Sequence, residues 1–73
     1  MRGRIRHCAF SQPPRVKINL EDGCVITLFI NNESVFNIIN SKKLDITMKG
    51  RDVWLSDGTA VEVVSNALIK KPK

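Results

Sequence analysis

Apolar and polar positions along the chain fall into two periods. Val16, Ile18 and Leu20 alternate with Lys17 and Asn19, the period of two that marks a half-buried strand. Glu21-Asp22-Gly23 follows as a turn signal, and Cys24 to Ile30 is then a near-continuous apolar run rich in β-branched residues. Together they predict a hairpin over residues 16–30. Leu44, Ile46 and Met48 alternate with Asp45, Thr47 and Lys49, predicting a third strand. Gly50-Arg51-Asp52 turns the chain into a short strand at Val53–Ser56, and Asp57-Gly58 turns it again into Thr59–Val64.

Between the hairpins the period changes. Asn31 or Asn32 can cap a helix, and Glu33 suits its first turn. Val35, Ile38 and Ile39 then fall at i, i+3 and i+4 and are expected to face the core. The helix is about two turns long and depends on packing against the sheet. The expected class is α+β: a small antiparallel β-sheet or partly open barrel of four to five strands with one short helix. Ile18, Leu20, Ile26, Leu28, Val35, Ile39, Ile46 and Leu55 are the expected core.

Pro13-Pro14 removes two backbone donors and biases the residues before it toward extended geometry. It divides the chain into a flexible basic N-terminal arm at residues 1–12, a single small mixed β domain at 13–69, and a basic tail at 70–73. Ile5 alternates with Arg4 and Arg6, so the arm is able to extend into a strand when something pairs with it; alone it is expected to be mobile.

Composition sharpens this. The chain has 73 residues, enough for one domain with a marginal core, and its 42% hydrophobic content supports a folded centre. The net charge of +5 is unevenly placed. Arg2, Arg4, Arg6, Arg15 and Lys17 lie in a head without acids, and Lys70, Lys71 and Lys73 in a tail without acids. All acids fall between Glu21 and Glu62, where they outnumber Lys42, Lys43, Lys49 and Arg51. An acidic centre with basic ends points to an acidic or polyanionic partner.

The residues do not point to catalysis. The one histidine, His7, sits in the arm, and the glycines are scattered and mark turns in place of a phosphate-binding loop. Cys8 and Cys24 form neither a disulfide framework nor the four-ligand pattern of a zinc site; Cys24, in an apolar run, reads as a small core residue. No cofactor, no metal and no membrane segment are expected, and the chain reads as cytoplasmic. Binding remains. Arginines can fork onto carboxylates or phosphates, with Ile5 and Phe10 as apolar anchors. The candidate partner-binding residues are therefore Arg2, Arg4, Ile5, Arg6, His7 and Phe10. Trp54, Lys42, Lys43, Lys49 and Arg51 form a candidate second surface. Trp54 is out of phase with Val53 and Leu55, which leaves it either exposed or covering the second sheet face, with the covering role favoured.

Two resemblances bear on function. The stretch RVKINLEDGCVITLFI, residues 15–30, resembles the opening hairpin of Sm-like barrels, which implies a small nucleic-acid-binding barrel acting directly on RNA. Taken whole, with the basic head MRGRIRH and a minimal mixed β core, the chain resembles the small bacteriophage-encoded regulators of Xanthomonas phages that bind host RNA polymerase. That resemblance implies a non-enzymatic transcription regulator in the bacterial host cytoplasm, a monomer that inhibits initiation and promotes antitermination through its basic arm, with contact to RNA left open. A structural or toxin-neutralising interaction module is a third class compatible with the residues.

Overall fold

The structure, a computed structural model, describes residues 1–10 and 15–72. Seven strands and one helix follow in the order β1 (Arg2–Phe10), β2 (Arg15–Leu20), β3 (Val25–Phe29), α1 (Glu33–Lys42), β4 (Asp45–Lys49), β5 (Asp52–Leu55), β6 (Ala60–Val61) and β7 (Leu68–Lys70). The α+β class and the open antiparallel sheet match the expectation, but the sheet has seven strands instead of four or five, in the order β6-β5-β4-β1-β2-β3-β7. The two extra strands are β1, formed from the segment read as an arm, and β7, formed where the sequence leaves open a strand or short helix through Ala67, Leu68 and Ile69, at the start of the expected tail.

β1 is the central strand. Its first residues pair with β4, through Arg2↔Thr47, Gly3↔Ile46 and Arg4↔Asp45. Its remainder pairs with β2, from Ile5↔Leu20 to Phe10↔Val16. The flexible arm expected at residues 1–12 is therefore corrected over residues 2–10: they are paired with β4 at one end and β2 along the rest, and Ile5 and Cys8 are buried. The two-proline break, and with it the boundary between residues 12 and 13, lies outside the described residues, as does Lys73 of the expected tail. Charge misled the reading. A strand with one face on the core and one in water alternates Ile with Arg as a matter of course.

A bulge sets the phase of β1. Between Ile5↔Leu20 and His7↔Asn19, β1 advances two residues while β2 advances one. Without that extra residue, the side chains facing inward would be Gly3, Ile5, His7 and Ala9. With it, Gly3 and Ile5 face inward before the bulge, and Cys8 and Phe10 face inward after it. Gly3 sits where β1 closes on β2: a Cβ there would lie 2.5 Å from Cδ1 of the buried Leu20, whose side chain would have to shift.

The inner faces of all these strands meet in one cluster. Ile18 and Leu20 of β2, Ile26 and Leu28 of β3, Ile46 and Met48 of β4, Val53 and Leu55 of β5 and Val61 of β6 pack with Ile5, Cys8, Cys24, Ile30 and Ile39. Strands as far apart as β3 and β6 share this core, so the sheet curls on itself. After β6 the chain returns to the far side, where Val64 N donates to Phe29 O at 2.8 Å. Of the expected core residues, only Val35 is partly exposed.

The helix begins as expected: Asn32 caps it, its Oδ1 accepting from Ser34 N at 2.9 Å. It ends at Lys43, which takes the left-handed conformation at φ 48° and donates its N–H to Ile39 O. Its buried face differs from the expectation. Ile39 is fully buried and Val35 and Phe36 are half-buried, while Ile38 is 40% exposed. At about 100° per residue, Val35, Phe36 and Ile39 cluster on one side of the helix and Ile38 falls outside it. Phe36 is drawn in by Phe10, whose ring meets it edge-on at 5.5 Å between centroids.

Ile5→Ala is expected to lower unfolding free energy by about 2–5 kcal/mol in urea titrations, the cost of a buried large-to-small change. Arg6→Ala, on the same strand but facing water, is expected to stay within about 0.5 kcal/mol of the parent. Equal, small effects at the two positions would remove β1 from the sheet.

Candidate functional site

The bulge has a second effect, on the outer face of β1. Arg2 and Arg4 point outward before it, and Arg6 and His7 both lie exposed at it, giving an unbroken polar stripe along the central strand. These four expected partner-binding residues are thus brought together. The other two are not. Ile5 is buried in the core and Phe10 packs on Phe36, so neither is an exposed anchor.

The stripe is not uniform. Asp45, on the neighbouring β4, stands between the first two arginines: Arg2 Nη2 lies 3.7 Å from Asp45 Oδ2, and Arg4 Nε 3.5 Å from Asp45 Oδ1. The expectation that no acid satisfies the head's charge is corrected at these two positions. Arg6 makes no ion pair among the described residues, and beside it His7, Asn19, Leu20 and Gly23 complete a depression of about 310 Å³. Arg6 and His7 are therefore the more available part of the stripe.

Across β2 the same outer face continues. His7 is opposite Asn19 and Ala9 opposite Lys17. Lys17 is opposite Thr27 of β3, which is opposite Leu68 of β7. Arg15 lies over the Phe29 ring, 5.9 Å from its centroid, at the outer limit of a cation–π contact. The fold thus places the basic head and the basic tail in one curved sheet face, separated by three strand spacings, about 14 Å. Sequence reading saw both charged segments but did not join them, because only the pairing of β7 with β3 does so.

The candidate second surface is differently built. Lys42 Nζ is 2.7 Å from Asp57 Oδ2, tying the end of α1 to the β5–β6 turn. Lys43 is the helix cap, Arg51 Nη2 donates to Val64 O at 3.0 Å, and Lys49 is opposite Asp52. These cations sit among acids or serve the fold. Trp54 lies on the outer face between Thr47 and Ala60 and is 37% exposed, so the covering role favoured for it is overturned: β5 points Val53 and Leu55 inward and Trp54 out.

Among the described residues no group of three or more His, Cys, Asp or Glu side chains could hold a metal ion, and no helix is long and apolar enough to cross a membrane. Both thiols are free and buried. Burial pushes the Cys8 thiol up to about 11, against a smaller opposing influence from Lys43. Burial also raises Cys24, as does its hydrogen bond with Asp22 and the charge of that carboxylate, while Lys71 opposes the rise. Neither thiol has the lowered pKa of a reactive nucleophile.

Two pH effects follow. Lys42, and after it Thr59, hold the Asp57 carboxyl well below its usual range. The stability this confers is present above the unfolded pKa, near 4, and is lost as pH falls below it. Asp57→Asn is therefore expected to flatten the acid limb of a melting-temperature–pH curve. Cys8 acts at the other end. Between its ordinary value of 9.0 and about 11 the unfolded chain releases a proton that the folded one keeps, so stability falls as pH rises through that window. Cys8→Ala is expected to shallow that descent; unchanged slopes in either variant would refute the corresponding contact.

Among known proteins, no family model matches the chain, and neither the curated proteins nor the solved structures include one significantly similar to it.

Proposed function

We propose that this protein is a non-enzymatic transcription regulator that binds bacterial RNA polymerase, inhibiting initiation and promoting antitermination, with the outer stripe of β1 as its contact surface. The observation that carries the binding role is the bulge, which sets Arg6 and His7 side by side on a fixed central strand, next to the depression formed with Asn19 and Gly23. A contact held on a sheet loses less conformational entropy on binding than a disordered arm would. The polymerase as partner rests on the resemblance of the whole chain to the small phage regulators. Arginine suits the role because its planar fork can grip a carboxylate or phosphate at two points.

Capture of RNA polymerase subunits from bacterial lysate by the immobilised protein is expected to survive nuclease treatment; capture lost with nuclease would favour the small RNA-binding barrel instead. Arg6→Ala is expected to weaken capture roughly tenfold, the scale of one charge-assisted hydrogen bond. Arg2→Ala is expected to cost less, because in the free protein Arg2 already faces Asp45. Full binding by an Arg2/Arg4/Arg6 triple-alanine variant with an unchanged melting temperature would exclude the β1 stripe.

A further inference from the structure

The far edge of the same sheet carries a feature that the β1 stripe does not use. β7 is three residues long, is paired on one side only by β3, and has all its residues exposed. Leu68 is 62% exposed and Ile69 43%, although Ile69 lies opposite the fully buried Ile26. Inward of this edge, across the outer face of β2, β3 and β7, runs a groove of about 540 Å³. Val25, Thr27 and Leu68 line its floor, and Lys17, Lys70 and Lys71 stand along it. None of these three lysines makes an ion pair among the described residues. Asp22 Oδ1 accepts from Cys24 N at 2.9 Å within its own turn and makes no ion pair with them.

We infer that the open β7 edge, with Lys70 and Lys71 beside it, forms a docking site for an extended, acidic segment of a partner protein, which adds to the sheet as an eighth strand. An added strand would satisfy the open backbone groups of β7. Apolar residues of the segment would cover Ile69 on the inner side, with its acidic residues on the outer side. Its carboxylates would meet Lys70 and Lys71, where charge complementarity selects acid over base. The same lysines disfavour a second copy of this chain, because edge-to-edge pairing would crowd Lys70 and Lys71 of both copies around one short contact with no acid from either strand. Single-stranded nucleic acid fits less well: the groove has no aromatic side chain on which a base could stack. This site lies three strands from Arg6 and stands independently of the function proposed for β1.

The test is fluorescence anisotropy with a labelled decapeptide of alternating glutamate and leucine. Saturable binding is expected, at least tenfold weaker for the lysine–leucine counterpart and for a peptide N-methylated at alternate amides. Leu68→Asp and the double variant Lys70→Glu/Lys71→Glu are each expected to weaken binding at least tenfold with unchanged melting temperatures, because these side chains are exposed. Arg6→Ala is expected to bind the peptide as the parent does. The inference is overturned if the glutamate–leucine peptide fails to bind, if its lysine counterpart binds equally, if the β7 variants retain binding, or if Arg6→Ala loses it. Tighter binding of a decauridylate, lost in the double lysine variant, would overturn it in favour of a nucleic-acid site.

Discussion

The pairing of β1 on both of its sides holds the molecule together. One hairpin, β2–β3, presents one apolar face, and a second hairpin, β4–β5, presents another. Neither is stable alone, since a two-stranded ribbon leaves its apolar face in water. β1 hydrogen-bonds to β4 through its first residues and to β2 through the rest, and so turns two ribbons into one curled sheet around a shared core. Small domains of this size commonly need a disulfide or metal to offset chain entropy. Here both cysteines are free, and burial of aliphatic side chains from nearly every strand takes that part.

Where local pattern and tertiary setting agreed, the sequence was informative. The β2–β3 hairpin, the Asn32 cap, the β4 alternation and the turn at Asp57-Gly58 each carry signals within a few residues, and each formed as read. The two ends were less legible. β1 reads as an arm because its arginines outweigh its apolar positions, and β7 reads as either strand or short helix because three residues carry no clear period and its partner β3 is distant in sequence. Ile5 owes its burial to the core it joins opposite Leu20, and Cys8 and Phe10 owe theirs to a bulge that no local signal announces. Ile38 failed differently. Its spacing fitted an apolar face, but Phe36 had Phe10 to pack against, and that contact decided which way the helix turned.

The binding face was legible as charge and not as shape. The basic head could be seen in the residues, and so could the basic tail. What could not be seen was that the fold divides the charge by half of the sheet. The half built from β1, β2, β3 and β7 carries Arg2, Arg4, Arg6, Arg15, Lys17, Lys70 and Lys71 against Glu21 and Asp22, whereas the half with α1, β4, β5 and β6 nearly balances Glu33, Asp45, Asp52, Asp57 and Glu62 with Lys42, Lys43, Lys49 and Arg51. The excess positive charge is therefore gathered on one half of the molecule. Such a field orients a protein as it approaches a charged surface and speeds productive encounter at low salt.

The position of β1 also bears on how the chain reaches its native state. Arg2 and Thr47 are paired although 45 positions separate them. Closing so long a loop costs entropy before any contact repays it, and topologies dominated by such pairings fold slowly. The two hairpins close over short turns and are available early. β1 meets β2 through pairs as near in sequence as Phe10 and Val16, so the long-range step is its closure onto β4, which joins the two halves of the sheet. Charged side chains along a strand with an open edge oppose its pairing with other chains, so the arginines of β1 that line the basic stripe also guard that edge before β4 arrives.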